Sequence, residues 1–88
     1  MNKSINLKKL LGNNIALWRH ERKLTQSELA ELCRISDVSL SRIENGSTWP
    51  KDSTLQKLCT ALNVDPHVLF FSETVSSGTG GMMVADPE

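Results

Sequence analysis

Two helix-start signals in close succession constrain this chain more than any other feature. Thr25-Gln26-Ser27-Glu28 has the form of a capping box. In that motif the Thr25 hydroxyl accepts from the amide of Glu28, and the Glu28 carboxylate reaches back to the amide of Thr25. Leu24 before the cap and Leu29 after it fit a hydrophobic staple. The second start is Ser36, stapled by Ile35 and Leu40. The helix opened at Thr25 runs to about Cys33, with Leu29, Ala30 and Cys33 inward, so only Arg34 and Ile35 separate the two. Short helices on so tight a turn must cross steeply, as in a helix-turn-helix. Such a pair can rest its first helix across a DNA backbone and lay its second in the major groove.

The rest of the first 71 residues also reads as helices with short breaks, without strand alternation or an internal repeat. A first helix is expected over residues 7–22, with Leu7, Leu11, Ile15 and Trp18 on one stripe and Leu10 beside it. Gly12, Asn13 and Asn14 lower its local propensity, so packing must hold it. The third helix spans residues 36–45, and Gly46 suits a left-handed stop. After the loop Ser47-Thr48-Trp49-Pro50, a fourth helix covers residues 52–62, with Leu55, Leu58, Cys59 and Leu62 inward and Asn63 closing it. Asp65-Pro66 opens a fifth, ending near Phe71, since Asp caps well and Pro favours the first helical position. The expected fold is therefore all-α, a five-helix domain over residues 1–71. Residues 72–88, with Gly78, Gly80 and Gly81 among serines and threonines, have little to bury and read as a disordered tail.

Charge is a weak guide. The formal net charge is zero, yet all ten Lys and Arg lie in residues 1–57, while residues 72–88 carry Glu73, Asp86 and Glu88 and no base. The helical part is thus slightly basic, and any nucleic-acid contact must come from local placement. The first six residues hold no apolar stretch of a secretory signal and no run approaches a membrane span, so a cytoplasmic location is expected. Cys33 and Cys59 read as reduced core residues. With His20 and His67 they show no metal-ligand spacing, so neither a metal nor another cofactor is expected. There is no phosphate-binding glycine loop, nucleophile–base arrangement or paired carboxylates on one face, so no enzyme is expected.

On a helical wheel, Leu40 and Ile43 of the third helix fall together toward the core. The opposite face presents Asp37, Val38, Ser41, Arg42 and Asn45, a mixture of donors, acceptors and one methyl-bearing side chain. That face suits base edges better than a protein interior.

Residues 11–71 resemble the lambda-repressor/Cro-like (XRE-like) helix-turn-helix family of small transcription regulators. The matching stretches are Leu24-Thr25-Gln26-Ser27-Glu28-Leu29-Ala30 and Ile35-Ser36-Asp37-Val38-Ser39-Leu40-Ser41-Arg42-Ile43-Glu44-Asn45-Gly46, with Pro50, Thr54-Leu55, Lys57-Leu58, Ala61-Leu62-Asn63-Val64 and Leu69 beyond them. The resemblance implies base contacts from Ser36, Asp37, Val38 and Arg42, and the free face adds Ser41. Arg42 can donate to guanine O6 and N7, Val38 can pack on a thymine methyl, and Asp37 can accept from cytosine N4. It implies phosphate contacts from Gln26 at the tip of the second helix and from Asn45, Ser47, Trp49 and Lys51 after the third. Plainer roles compete: Ser36 as a helix cap, Asp37 as a partner of the helix dipole, Trp49 folded onto the core. The resemblance further implies an ion pair between Arg19 and Glu44, tying the first helix to the third. One departure concerns Arg34, where most relatives carry Gly and the turn favours a left-handed backbone.

A module of this size reads few base pairs, so two copies on a palindromic double-stranded DNA operator are expected. Val64, Val68, Phe70 and Phe71 crowd the last helix and offer a homodimer surface, with Leu69 at the family's core position. The leading expectation is a sequence-specific transcription regulator, most simply a repressor. The alternative is an antitoxin or restriction-modification controller-type protein whose tail or last helix holds a protein partner.

Overall fold

Asn6 opens the first helix by accepting the amide of Lys9 at 3.1 Å, a side-chain cap that satisfies one of the free N–H groups of the first turn. The computed structural model describes residues 6–70. Within them, α1 (Leu7–Glu21), α2 (Gln26–Cys33), α3 (Asp37–Glu44) and α4 (Asp52–Leu62) are α-helices, and Pro66–Phe70 forms a 3₁₀ turn. The architecture is all-helical, with no strand among the described residues. The expected fifth helix is corrected to that 3₁₀ turn. The buried Asn14 side chain donates to the Leu69 carbonyl at 2.7 Å, so a contact from α1 takes an acceptor that an α-helix would use in its own ladder. The expected tail over residues 72–88 and the interface residue Phe71 lie outside the described residues.

The capping box forms as expected: Thr25 Oγ1 accepts from the Glu28 amide at 3.0 Å, and Glu28 Oε1 accepts from the Thr25 amide at 2.8 Å. Ser36 caps α3, its Oγ accepting from the Ser39 amide at 3.0 Å.

All four helices end in one way. A residue with positive φ follows each helix: Lys23 at 61°, Arg34 at 59°, Gly46 at 81° and Asn63 at 59°. Its amide donates to the carbonyl three residues back, and the next amide donates to the carbonyl five back, as in Leu24 to Arg19, Ile35 to Ala30, Ser47 to Arg42 and Val64 to Cys59. This is the Schellman closure. Leu24, Ile35 and Val64, each following the left-handed residue, turn onto the core. Only one of the four positions is glycine. Lys23 and Arg34 accept strain on the order of 1 kcal/mol each in return for short connections.

The core takes Leu11 and Ile15 from α1, Leu29, Ala30 and Cys33 from α2, Leu40 and Ile43 from α3, Leu58, Cys59 and Leu62 from α4, and Leu69 from the 3₁₀ turn. Leu7, expected on the inward stripe, is instead 49% exposed on the first turn of α1. Trp18 packs at the margin. Cys33 and Cys59 are free and buried, and burial pushes both thiols up from their ordinary value, opposed at Cys33 by Lys57 and reinforced at Cys59 by Asp65. α1 packs against α3 and the 3₁₀ turn, and α2 against α3 and α4. Gly12 makes the α1–α3 contact possible. A Cβ there would fall 2.3 Å from the Ile43 carbonyl oxygen and 2.5 Å from that of Glu44.

Candidate nucleic-acid interface

The inward side of α3 is defined by Leu40, fully buried, and Ile43, 4% exposed. Its outward side is then set by helical spacing. Val38 is 59% exposed, and Asp37, Arg42 and Asn45 are also exposed, with Ser41 half-buried. An exposed Val with no core to join is available for apolar contact with a ligand. The Arg42 guanidinium makes no ion pair or hydrogen bond among the described residues, so its five donors face solvent.

One buried carboxylate orients this helix. Glu44, 8% exposed on the inner side of α3, accepts from Arg19 Nε through Oε2 at 2.8 Å and from Arg19 Nη2 through Oε1 at 3.1 Å. Arg19 Nη1 also donates to the Leu24 carbonyl at 3.0 Å. Gln26 Nε2 donates to the same Glu44 Oε1 at 3.1 Å. The pair thus ties α3 to α1, and Gln26 ties it to the tip of α2. Gln26, expected at a phosphate, has one carboxamide N–H turned to Glu44, leaving its second N–H and the first amides of α2 as the donors available to a phosphate.

Asp37 likewise has a protein partner. Ser27 Oγ donates to Asp37 Oδ2 at 2.6 Å, closing α2 onto the first turn of α3. Ser36 caps α3 and shares a hydrogen bond with the Ser39 hydroxyl at 3.1 Å. Asn45 Oδ1 accepts from the Ser47 amide at 3.2 Å and from its hydroxyl at 2.6 Å, so these two side chains shape their own turn. Beyond it, Arg42, Trp49 and Lys51 line one hollow of about 330 Å³ beside Ile43. Trp49 is 49% exposed and so does not join the core, which was the competing role for it. Lys51 precedes α4 without a side-chain cap bond and is exposed.

Sequence reasoning missed Gly12, Asn14, Gln26 as a partner of Glu44, the Ser27–Asp37 bond, and Arg22. Arg22 Nε donates to the Leu62 carbonyl at 2.6 Å while its guanidinium lies 4.9 Å from the centre of the Trp18 ring. Apart from the Arg22–Trp18 contact, which is an i,i+4 pair at the end of α1, none of these contacts has a spacing signature, because each joins two elements. Val64 and Val68, expected at a dimer surface, are half-buried and share a hollow of about 760 Å³ with Trp18 and Arg22. Phe70 is 36% exposed. Among the described residues there is no group of three or more His, Cys, Asp or Glu able to hold a metal, and no helix is long and apolar enough to cross a membrane.

An α2–α3 pair packed together across a three-residue connection, an unpacked outer face on α3 and a carboxylate holding α3 to both earlier helices form a helix-turn-helix unit. A helix-turn-helix family model matches residues 15–69. The chain belongs to the helix-turn-helix family. Among its family relatives is the HTH-type transcriptional repressor RghR of Bacillus subtilis, 43% identical over 61 residues, which are 68% of this chain and 45% of RghR. The chain thus spans less than half the length of that relative. The ImmF control region 10 kDa protein of Bacillus phage phi105 is 37% identical over 73 residues, 83% of this chain and 81% of the phage protein. The crystal structure of SinR, master regulator for biofilm formation, in complex with DNA superposes with a TM-score of 0.63 at 37% identity, covering 67% of this chain and 95% of the SinR chain in that structure. The family membership implied by the sequence resemblance therefore stands.

Proposed function

We propose that this chain represses transcription by binding a palindromic operator as a homodimer, with the α3 of each copy in the major groove. That it is a DNA-binding transcription regulator follows from its family and from relatives named as repressors. The observation that carries the finer reading is the outer face of α3, where Val38 and Arg42 stand exposed beside Ser41 while Leu40, Ile43 and Glu44 anchor the inner side. In this reading Arg42 pairs with a guanine and Val38 packs on a thymine methyl. The free oxygen of Asp37 accepts from a cytosine, and Ser36 and Ser41 complete the face. The α2 tip at Gln26 and the segment carrying Asn45, Ser47, Trp49 and Lys51 meet phosphates. The binding unit is residues 1–71, and Val64, Val68, Phe70 and Phe71 contribute to the contact between copies.

Sedimentation of the chain with duplexes enriched from random DNA tests this reading. Two chains per duplex on inverted half-sites about one helical turn apart, ~34 Å, are expected. One chain on an unsymmetrical site would contradict it.

A further inference from the structure

We infer that Lys9, in the first turn of α1, is a contact to the DNA backbone. The inference rests on the reading of α3 as the recognition helix. The first turn of α1 contains Lys8 and Lys9 and no acid. A cation there faces the positive end of its own helix dipole, so α1 itself does not favour it. The Lys9 ammonium forms no ion pair among the described residues, and the residue is exposed.

What Lys9 does have is position. A Cβ on Gly46 would fall 2.8 Å from Lys9 Cα and 3.2 Å from its Cβ, so the backbone of Lys9 lies against the end of α3. One turn further along α1, Gly12 meets the carbonyls of Ile43 and Glu44. The start of α1 therefore runs alongside the exit of the recognition helix, next to Asn45 and Ser47. From there the flexible stem of Lys9 carries a point charge toward the strand flanking the groove that α3 enters. Lys9, Arg42 and Lys51 then bring three cations from three parts of the chain to one DNA surface. No sequence pattern assigns Lys9 this role, because it is far from α3 along the chain. A purely structural alternative exists, since a cation near the end of α3 also complements the negative end of that helix.

Salt dependence separates the two roles. Each phosphate neutralised contributes about 0.9 to the slope of log affinity against log salt. The apparent affinity is measured across salt for an enriched duplex and for a scrambled one. Lys9→Ala and Lys9→Gln are expected to lower the slope by about 0.9 and weaken both duplexes by the same factor, whereas Lys9→Arg keeps the wild-type slope. Lys57→Ala serves as the control, because Lys57 lines a hollow with Leu32 and residues of α4 and none of α3. It should leave the slope unchanged. Wild-type slopes in Lys9→Ala and Lys9→Gln, with or without a fall in melting temperature, overturn the assignment and leave the α3 reading standing. A wild-type chain that binds no duplex overturns both.

Discussion

Arg19 and Glu44 meet in a two-pronged ion pair, Nε to Oε2 at 2.8 Å and Nη2 to Oε1 at 3.1 Å, with side chains only 11% and 8% exposed. Removing the arginine would leave a buried carboxylate whose remaining described partner is Gln26. Breaking a buried pair from one side costs about 3–5 kcal/mol. Arg19→Ala is therefore expected to lower the melting temperature by well over ten degrees for a domain this small, given about 4–8 °C per kcal/mol. DNA binding should weaken with it, as α3 loses its tether to α1. Calorimetry of the variant checks this, and an unchanged melting temperature would show that the pair contributes little.

Gly12 gives a prediction that helix propensity alone gets backwards. Alanine is favoured over glycine in a helix interior by about 0.8–1.0 kcal/mol. Here the added methyl would sit 2.3 Å from the Ile43 carbonyl oxygen, which belongs to backbone and cannot swing aside. Gly12→Ala is expected to destabilise the chain, by about 1–3 kcal/mol as for other overpacked contacts, measured by urea unfolding. A gain in stability would mean that α1 and α3 can separate at no cost.

At Arg34 the expectation has the opposite sign. The residue holds a left-handed backbone, φ 59° and ψ 42°, between α2 and α3. Arg34→Gly should stabilise the chain by up to about 1 kcal/mol, the strain that a Cβ imposes there. A β-branched residue at the same place should destabilise it. Paired urea melts of Arg34→Gly and Arg34→Val measure both, and equal stability of the two would refute the strained turn.

These cases also mark what was legible in the sequence. The two caps at Thr25 and Ser36, the stop at Gly46 and the split of α3 into Leu40 and Ile43 against Val38 and Arg42 were readable, because each is local. They depend on a few neighbouring residues and one helical period. The Arg19–Glu44 pair was accessible only through resemblance to a family. Gly12, Asn14 and Gln26 were not readable, since their roles exist only after α1, α2 and α3 have met. Gly12 and Asn14 read as weak spots in a helix, yet they are the places where that helix touches its neighbours. The fifth helix was overestimated for a related reason. Asp65-Pro66 is a sound start signal, but the Leu69 carbonyl is taken by Asn14 of α1, a contact that no local pattern announces.

The central claim is that the outer face of α3 reads bases, and the base-preference profile of Arg42→Ala tests it most directly. Wild type and variant are each used to enrich sites from random DNA, with circular dichroism confirming that both are folded. The account predicts that the variant loses preference at one position in each half-site, at a penalty of about 1–3 kcal/mol, and keeps the others. A folded variant with the wild-type profile at every position would contradict it.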